Sequence, residues 1–393
     1  MKIKTITTEK NWFGRTVLVR VDFNVPMNKN KIKEDYKITA NLPTIKYLLD
    51  RKAKVILITH LGEPTLLASG KVKDQKKFST KPLAVHLSRL LKKQVVFISC
   101  QIGSKKLDKE LAVLKPGQVV LLENIRFYPG ELSNDKNFAK QLAGLADIYV
   151  NNAFAVSHRK QASVSAIKSY LPSLAGLLLE LEVLNLSRIL KPTKPFIAII
   201  GGSKISGKVP VLKSLLKKAD YILVGGAVAN NFLAARGFRI GKSLSSAESI
   251  KIAKKIDNKK IILPIDVLVG DKNQENLKLK KLEAVGVRDI IYDIGPETMK
   301  LFAKYLRTAQ TMVWNGPMGV FENPHLKQGT LFIGRTLAMY AKGKAFGVVG
   351  GGETVEALRE TKMMDDIDWV STGGGASLSF LGGEAMPGLE KLL

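Results

Sequence analysis

Short apolar runs alternate with helix-like stretches along the whole chain, and this alternation restricts it to an α/β fold. The first half carries TVLVRVDFNVP (residues 16–26), KVILITH, QVVFIS, QVVLLE and DIYVNN. The second half carries FIAII, YILVGG, IILPIDVLVG, DIIYDIG, TMVWNGP, AFGVVGGG and WVSTGGG. These runs are continuously apolar and rich in β-branched residues, so each strand must be covered on both faces. That is the condition of a parallel sheet with helices above and below it. A helix is expected over about Ile38 to Arg51, and an exposed loop over residues 66–78. Ser173 to Leu190 carries Leu174, Leu177, Leu178, Leu181 and Leu184 at helical spacing. Ser173 suits an N-cap, and Lys191-Pro192 a stop. This stretch is expected to be a helix joining two domains, and 393 residues are enough for two.

The residues just beyond each strand carry the chemistry. Asp22, Phe23 and Asn24 end the first; His60, Gly62 and Glu63 end the second; Asn124 and Arg126 come after QVVLLE; Asn151, Asn152, His158 and Arg159 come after DIYV. Open α/β sheets bind ligands at the carboxyl ends of their strands. Cations gathered there would form a basic pocket for a small anion, with arginines able to grip phosphate bidentately. In the second half, PFIAIIGGSKISGKVPVLKSLL reads as a strand, a glycine turn and a helix from Val209, with Pro210 in its first turn. Unpaired N–H groups at such a turn attract anions, and Lys204 and Lys208, four residues apart, suit a polyphosphate. Gly202 to Lys208 matches the front of a Walker A loop, but Val209 stands where that loop needs a hydroxyl for Mg²⁺, which disfavours an ordinary P-loop. Glycine clusters at Gly225-Gly226, Gly350-Gly351-Gly352 and Gly373-Gly374-Gly375 suggest a nucleotide bed. Glu353, opening a helix after three glycines, suits either a Mg²⁺ ligand or a charge complementing the helix dipole.

Composition narrows the setting. A hydrophobic content of 45% and a mean hydropathy of +0.03 indicate a soluble globular chain. No apolar run approaches the roughly 20 residues of a membrane span, and the first residues lack a signal-peptide pattern, so a cytoplasmic location is expected. The single cysteine, Cys100, cannot form an internal disulfide and reads as a small buried hydrophobe. A net charge of +28 favours polyanions. The lysines are scattered over helices and loops, however, and predict only weak, non-specific nucleic-acid binding.

Taken together, RVDFNVP, THLGEP, ENIRFYPGE, NNAFAVSHR, GGSKISGKVPV, NGPMGVFE, GGGETV and STGGGAS resemble phosphoglycerate kinases in order and spacing over nearly the whole chain. The resemblance implies two doubly wound, Rossmann-like domains joined by a helix. Residues 1–172 would bind 3-phosphoglycerate, 173–190 would form the joining helix, and 191–375 would bind nucleotide. Residues 376–393 would return to the N-terminal domain. It implies Mg²⁺-dependent phosphoryl transfer between ATP and 3-phosphoglycerate after hinge closure, in a protein expected to be a monomer. By position, Asp22, Phe23, Asn24, Lys37, His60, Arg126 and Arg159 would contact phosphoglycerate. Lys37, Lys204 and Lys208 would act on the transferring group. Gly225, Gly226, Asn315, Glu322, Gly351, Gly352, Glu353 and Thr354 would join Lys204 around the nucleotide, with Glu353 at the metal.

The departures are Lys37 for an arginine, Glu63 for the arginine of HLGRP, Glu353 for an aspartate and Gly207 for the aspartate between the lysines. Asn152 and Ala155 also replace an aspartate and a glycine. Lys37 and Glu63 leave open a degenerate fold that holds nucleic acid or another polyanion, and Glu63 alone leaves open a kinase for another small carboxylate.

Overall fold

The computed structural model describes residues 3–29, 31–67 and 72–392. They divide into two compact units: residues 1–184 with 385–393, and residues 185–384.

The first unit is built on a six-stranded sheet in the order Val95–Ile98, Val119–Leu122, Lys54–Ile58, Thr16–Arg20, Ile148–Asn151, Ser173–Ala175. All its neighbouring strands are parallel. Alternate residues of each strand enter different cores. Val17, Val19, Val55, Leu57, Val119 and Leu121 join one cluster, and Leu18, Ile56, Ile58, Val120 and Leu122 join another. Period-two side chains that are buried on both faces are the reason these runs read as continuously apolar. The strand ending at Arg20 has Lys54–Ile58 on one side and Ile148–Asn151 on the other, so the chain reverses its direction of winding there.

The second unit is also built on a six-stranded parallel sheet, but with a different strand order. Its parallel sheet runs Ile261–Ile262, Tyr221–Val224, Phe196–Ile200, Thr311–Asn315, Phe346–Gly350, Trp369–Val370. The reversal falls between Phe196–Ile200 and Thr311–Asn315, the strands that lead into the two central glycine turns. A separate antiparallel sheet of Lys278–Lys281, Asp266–Gly270 and Ile290–Ile294 stands beside it.

Several expectations are corrected. IILPIDVLVG is two strands in two sheets, because Pro264 cannot supply a ladder N–H. DIIYDIG belongs to the antiparallel sheet. Ser173 does not cap a helix: Ser173–Ala175 is the edge strand, and the helix runs Leu177–Leu190. Its buried apolar side chains are Leu178, Leu179, Val183, Leu186 and Ile189, with Glu182 buried among them in sequence, whereas Leu181 and Leu184 are exposed. Helix Gly375–Gly382 packs on helix Val209–Lys218 within the second unit, so the return to the first unit begins at Ala385 and not at residue 376. The return is pinned by Lys4 N–H to Leu392 O at 2.8 Å and Asn151 Nδ2–H to Gly388 O at 3.0 Å. Of the loop expected over 66–78, residues 68–71 lie outside the described residues, and Gln75–Phe78 form a 3-10 turn. Cys100 is half-buried against the second core cluster, less enclosed than expected. No described helix is long and apolar enough to cross a membrane.

Candidate active site

In the first unit the strand ends bring four segments to one sheet edge. Asp22 is buried two residues past its strand. It accepts from Lys37 Nζ at 2.8 Å through Oδ2 and from its own turn's Asn24 N–H at 3.2 Å through Oδ1. Burial pushes this carboxyl upward, but Lys37, His60 and Arg20 outweigh it, leaving the net pKa below the usual carboxylate value. His60 lies with Nδ1 3.3 Å from Arg20 Nη2 and 3.8 Å from Asp22 Oδ1. Its burial pushes the imidazole well below its ordinary pKa. Asp22 opposes this, while Arg20, Arg126 and Lys37 add to it. His60 is therefore neutral at pH 7. Arg20 has only N–H groups to offer, so Nδ1 is the acceptor and Nε2 carries the proton.

Arg126 is only 4% exposed. Its Nη1 donates to Gly62 O at 2.8 Å and lies 3.6 Å from Glu63 Oε1. Its Nε is buried without a hydrogen-bond partner among the described residues. Burial and the charges of Arg159 and Arg20 lower its pKa, against Glu63 and Glu131. Gly62 is itself fixed, with φ +62° and its N–H held by Asn24 Oδ1 at 2.9 Å. The edge thus gathers cations around a buried donor that lacks a partner among the described residues, an arrangement suited to a small anion.

Sequence alone did not single out Arg20. It is wholly buried, donating from Nε to Ser163 Oγ at 2.9 Å and from Nη1 to Val21 O at 2.6 Å. Ser163 Oγ in turn donates to the buried Glu131 at 2.6 Å. An arginine inside an otherwise apolar strand, TVLVRV, was the available signal. Phe23, expected at the ligand, has its ring wholly buried in the core cluster, and its N–H donates to Thr59 Oγ1 at 2.9 Å. Asn152 donates from Nδ2 to Asn41 Oδ1 at 2.7 Å, while its Oδ1 accepts from Thr44 Oγ1 at 2.9 Å and Leu178 N–H at 3.1 Å. An amide satisfies both donor and acceptor there, which accounts for asparagine at this position.

In the second unit three glycine turns are laced together by backbone. Gly202 N–H donates to Pro317 O at 2.7 Å, Gly226 N–H to Met318 O at 2.9 Å, and Val228 N–H to Gly202 O at 3.1 Å. Gly226 has φ +58°, and a Cβ there would meet Gly202 N at 2.7 Å, so only glycine fits. Lys208 turns inward, donating from Nζ to Gly201 O and, at 3.4 Å, to Asn315 O. Burial lowers its pKa to about 8, Glu353 opposing. Lys204, Glu322 and Glu353 are exposed.

A cleft of about 350 Å³ adjoins these turns. Leu233, Leu244, Pro264, Val267 and Val320 form apolar walls, Glu322 and Glu353 supply carboxylates, and Gly202 and Gly226 supply backbone. Asp293 also lines it. Burial raises its pKa to about 7, while N–H donation from Gly329 and Ile294, each at 2.8 Å, opposes the rise. The cleft's walls come from separate elements, which is why no single stretch of sequence announced them.

Asn315 and Thr354, expected at the nucleotide, have side chains that hydrogen-bond to neighbouring turns. Asn315 Nδ2 donates to Gly350 O at 3.0 Å, and Thr354 Oγ1 accepts from Gly316 N–H at 2.8 Å. Both side chains are engaged in bracing neighbouring turns. Gly351 has φ +100° and caps helix Gly352–Glu360, whose first turn carries Glu353.

The family model for phosphoglycerate kinase matches residues 7–384. The chain belongs to the phosphoglycerate kinase family. A phosphoglycerate kinase of Desulforudis audaxviator is 46% identical over 390 residues, covering 96% of each chain. One from Pelotomaculum thermopropionicum is 44% identical over 389 residues, covering 97% of this chain and 96% of its own. The solved phosphoglycerate kinase of Coxiella burnetii superposes with a TM-score of 0.85 at 39% identity, covering 100% of this chain and 99% of its own. That of Pyrococcus horikoshii gives 0.87 at 32%, covering 99% and 98%. As a phosphoglycerate kinase the chain is a transferase with a carboxyl acceptor, moving phosphoryl reversibly between ATP and 3-phosphoglycerate. Neither alternative, a degenerate polyanion-binding fold or a kinase for another carboxylate, gains support.

Proposed function

We propose that the first unit's crevice binds 3-phosphoglycerate and the second unit's cleft binds ATP or ADP with Mg²⁺. The observation that carries this reading is Arg126, a nearly buried guanidinium whose Nε lacks a partner among the described residues, beside Arg159 and a neutral His60. Such a pocket is short of negative charge, and phosphoglycerate supplies it. Asp22, Asn24, Lys37, His60, Arg126 and Arg159 are assigned to the acceptor, with Phe23 fixing the turn from the core. Gly225, Gly226, Gly351, Gly352, Lys204, Glu322 and Glu353 are assigned to the nucleotide, with Asn315 and Thr354 bracing its turns.

The acceptor carboxylate is ionised at neutral pH, so transfer needs no general base. Catalysis rests on in-line positioning and on charge stabilisation by Lys37, Lys204, Lys208 and glycine-turn N–H groups. Glu353 is the carboxylate assigned to Mg²⁺. No three His, Cys, Asp or Glu side chains form a metal cage among the described residues. One carboxylate together with nucleotide phosphates is an ordinary way to hold Mg²⁺, so the residues fit that ion. Mg²⁺ bound there would neutralise charge on the transferring phosphates. Transfer without hydrolysis also needs both substrates in one water-excluding space, so the reading includes hinge closure. A monomer that binds nucleic acid only weakly completes it.

Calorimetry tests the division of labour. Arg126→Ala should weaken 3-phosphoglycerate binding at least about tenfold and leave ADP binding intact, since one charged hydrogen-bonding group is worth about 1.5–3 kcal/mol. Glu322→Ala should do the reverse. If Arg126→Ala spared phosphoglycerate and weakened ADP, the assignment would be inverted.

A further inference from the structure

Glu63 is a carboxylate placed against an anion-binding crevice. Its backbone is pinned: the preceding Gly62 donates its N–H to Asn24 Oδ1 at 2.9 Å, and its carbonyl accepts from Arg126 Nη1 at 2.8 Å. A Cβ on Gly62 would meet the Phe78 ring at 2.5 Å, so this pivot has little room to shift. The Glu63 side chain is by contrast 83% exposed, with Oε1 3.6 Å from Arg126 Nη1. That separation is an ion pair but too long for a hydrogen bond, so Glu63 attracts Arg126 without using its donors. Arg126 still has a buried Nε without a partner among the described residues, and it feels the repulsion of Arg159 and Arg20. The guanidinium therefore stays available to a better acceptor, while a tethered carboxylate waits beside it.

We propose that Glu63 is a tethered competitor for Arg126 that sets how tightly the crevice holds phosphoglycerate. It rests on the reading that this crevice is the phosphoglycerate site. Because Glu63 is attached to a fixed turn, its local concentration near Arg126 is high and independent of solution conditions. The arriving substrate must displace it or bind beside a like charge. Either way affinity is reduced and release is eased, with no change to the groups that touch the transferring phosphoryl. Glu63 is a positioning and affinity-setting residue, and its effect is confined to the acceptor. An exposed charge of this kind is screened by salt, so its influence is greatest at low ionic strength.

The test is calorimetric binding of 3-phosphoglycerate and of ADP to the full chain in the wild type, Glu63→Gln, Glu63→Arg and Arg126→Ala, at about 20 mM and about 300 mM KCl, conditions that bracket strong and weak screening. Glu63→Gln keeps the size and removes the charge. It should tighten phosphoglycerate binding by about 3- to 10-fold at low salt and steepen its salt dependence. Glu63→Arg should tighten it further. ADP affinity should not move, and in steady state the KM for phosphoglycerate should fall while that for ATP stays unchanged. If Arg126→Ala loses phosphoglycerate but Glu63→Gln and Glu63→Arg bind it as the wild type does, the competitor role is overturned and the site assignment stands. If Arg126→Ala binds phosphoglycerate normally, the site assignment fails and this inference falls with it.

Discussion

Lys37 Nζ rests on Asp22 Oδ2 at 2.8 Å, where a planar guanidinium could bind both carboxylate oxygens. In the proposed mechanism that cation must also meet the transferring phosphoryl group, and a point charge spans fewer oxygens than a fork. Lys37→Arg should therefore raise turnover at saturating substrates, and Lys37→Ala should lower it by about 10²–10³. Wild-type turnover in Lys37→Ala would remove Lys37 from the reacting centre. Lys208 gives a pH prediction. Burial lowers its pKa to about 8, and an arriving phosphate would restore the proton. ADP binding should thus take up a proton above about pH 8, and calorimetry in buffers of different ionisation heat reads this. The same shift has a sign for stability. The unfolded chain binds more protons than the folded one between about 8 and the ordinary lysine value, so this group's penalty is full below pH 8 and is relieved as pH rises through that window. Lys208→Met should lose the proton uptake and raise stability at pH 7. At this scale the sequence disclosed charge and position but not direction. Asp22, His60 and Arg126 were read from strand ends and meet at one edge, whereas Phe23, Asn315 and Thr354 turn elsewhere, because rotamer and packing are decided by neighbours remote in sequence.

Each glycine turn contributes at the scale of elements, through backbone that only certain residues can adopt. Gly226 is left-handed and sits against Gly202 backbone, whereas an added Cβ at Gly207 would meet nothing within 4 Å. Gly226→Ala should lower Tm and weaken ADP binding at least about fivefold through backbone strain of about 1–3 kcal/mol. Gly207→Ala should be neutral, or stabilising by about 0.4–1 kcal/mol through the unfolded chain. Paired thermal melts and ADP titrations check both, and a Gly226→Ala protein that binds and melts normally would mean the laced turns are not a nucleotide bed. The parallel strands were legible because burial on both faces leaves a continuous apolar run. The antiparallel Asp266–Gly270 strand was not separated from Ile261–Ile262, because a run of apolar residues does not say to which sheet it belongs. Ser173–Ala175 was misread as helix because leucines at helical spacing come directly after it, and edge pairing with Ile148–Asn151 prevailed over that local pattern.

Across the whole molecule, two six-stranded parallel sheets of different strand order each gather their candidate site residues at strand carboxyl ends, and the last residues come back to the first unit. The lysines and arginines behind the net charge of +28 are scattered along the sequence of both units. Under the proposed assignment, the departures at Lys37, Glu63 and Glu353 change how charge is handled inside a shared architecture. Sequence order and motif spacing were sufficient for the architecture, while the exact point of the C-terminal return depended on helix Gly375–Gly382 choosing the second unit's Val209–Lys218 helix. The most direct measurement is a coupled assay of the pure, folded protein with saturating 3-phosphoglycerate, ATP and Mg²⁺, run beside Lys204→Ala. The account predicts formation of 1,3-bisphosphoglycerate by the wild type and a loss of about 10²–10³ in rate for the variant, with its melting unchanged. No product from folded wild type, or equal rates in the two proteins, would contradict it.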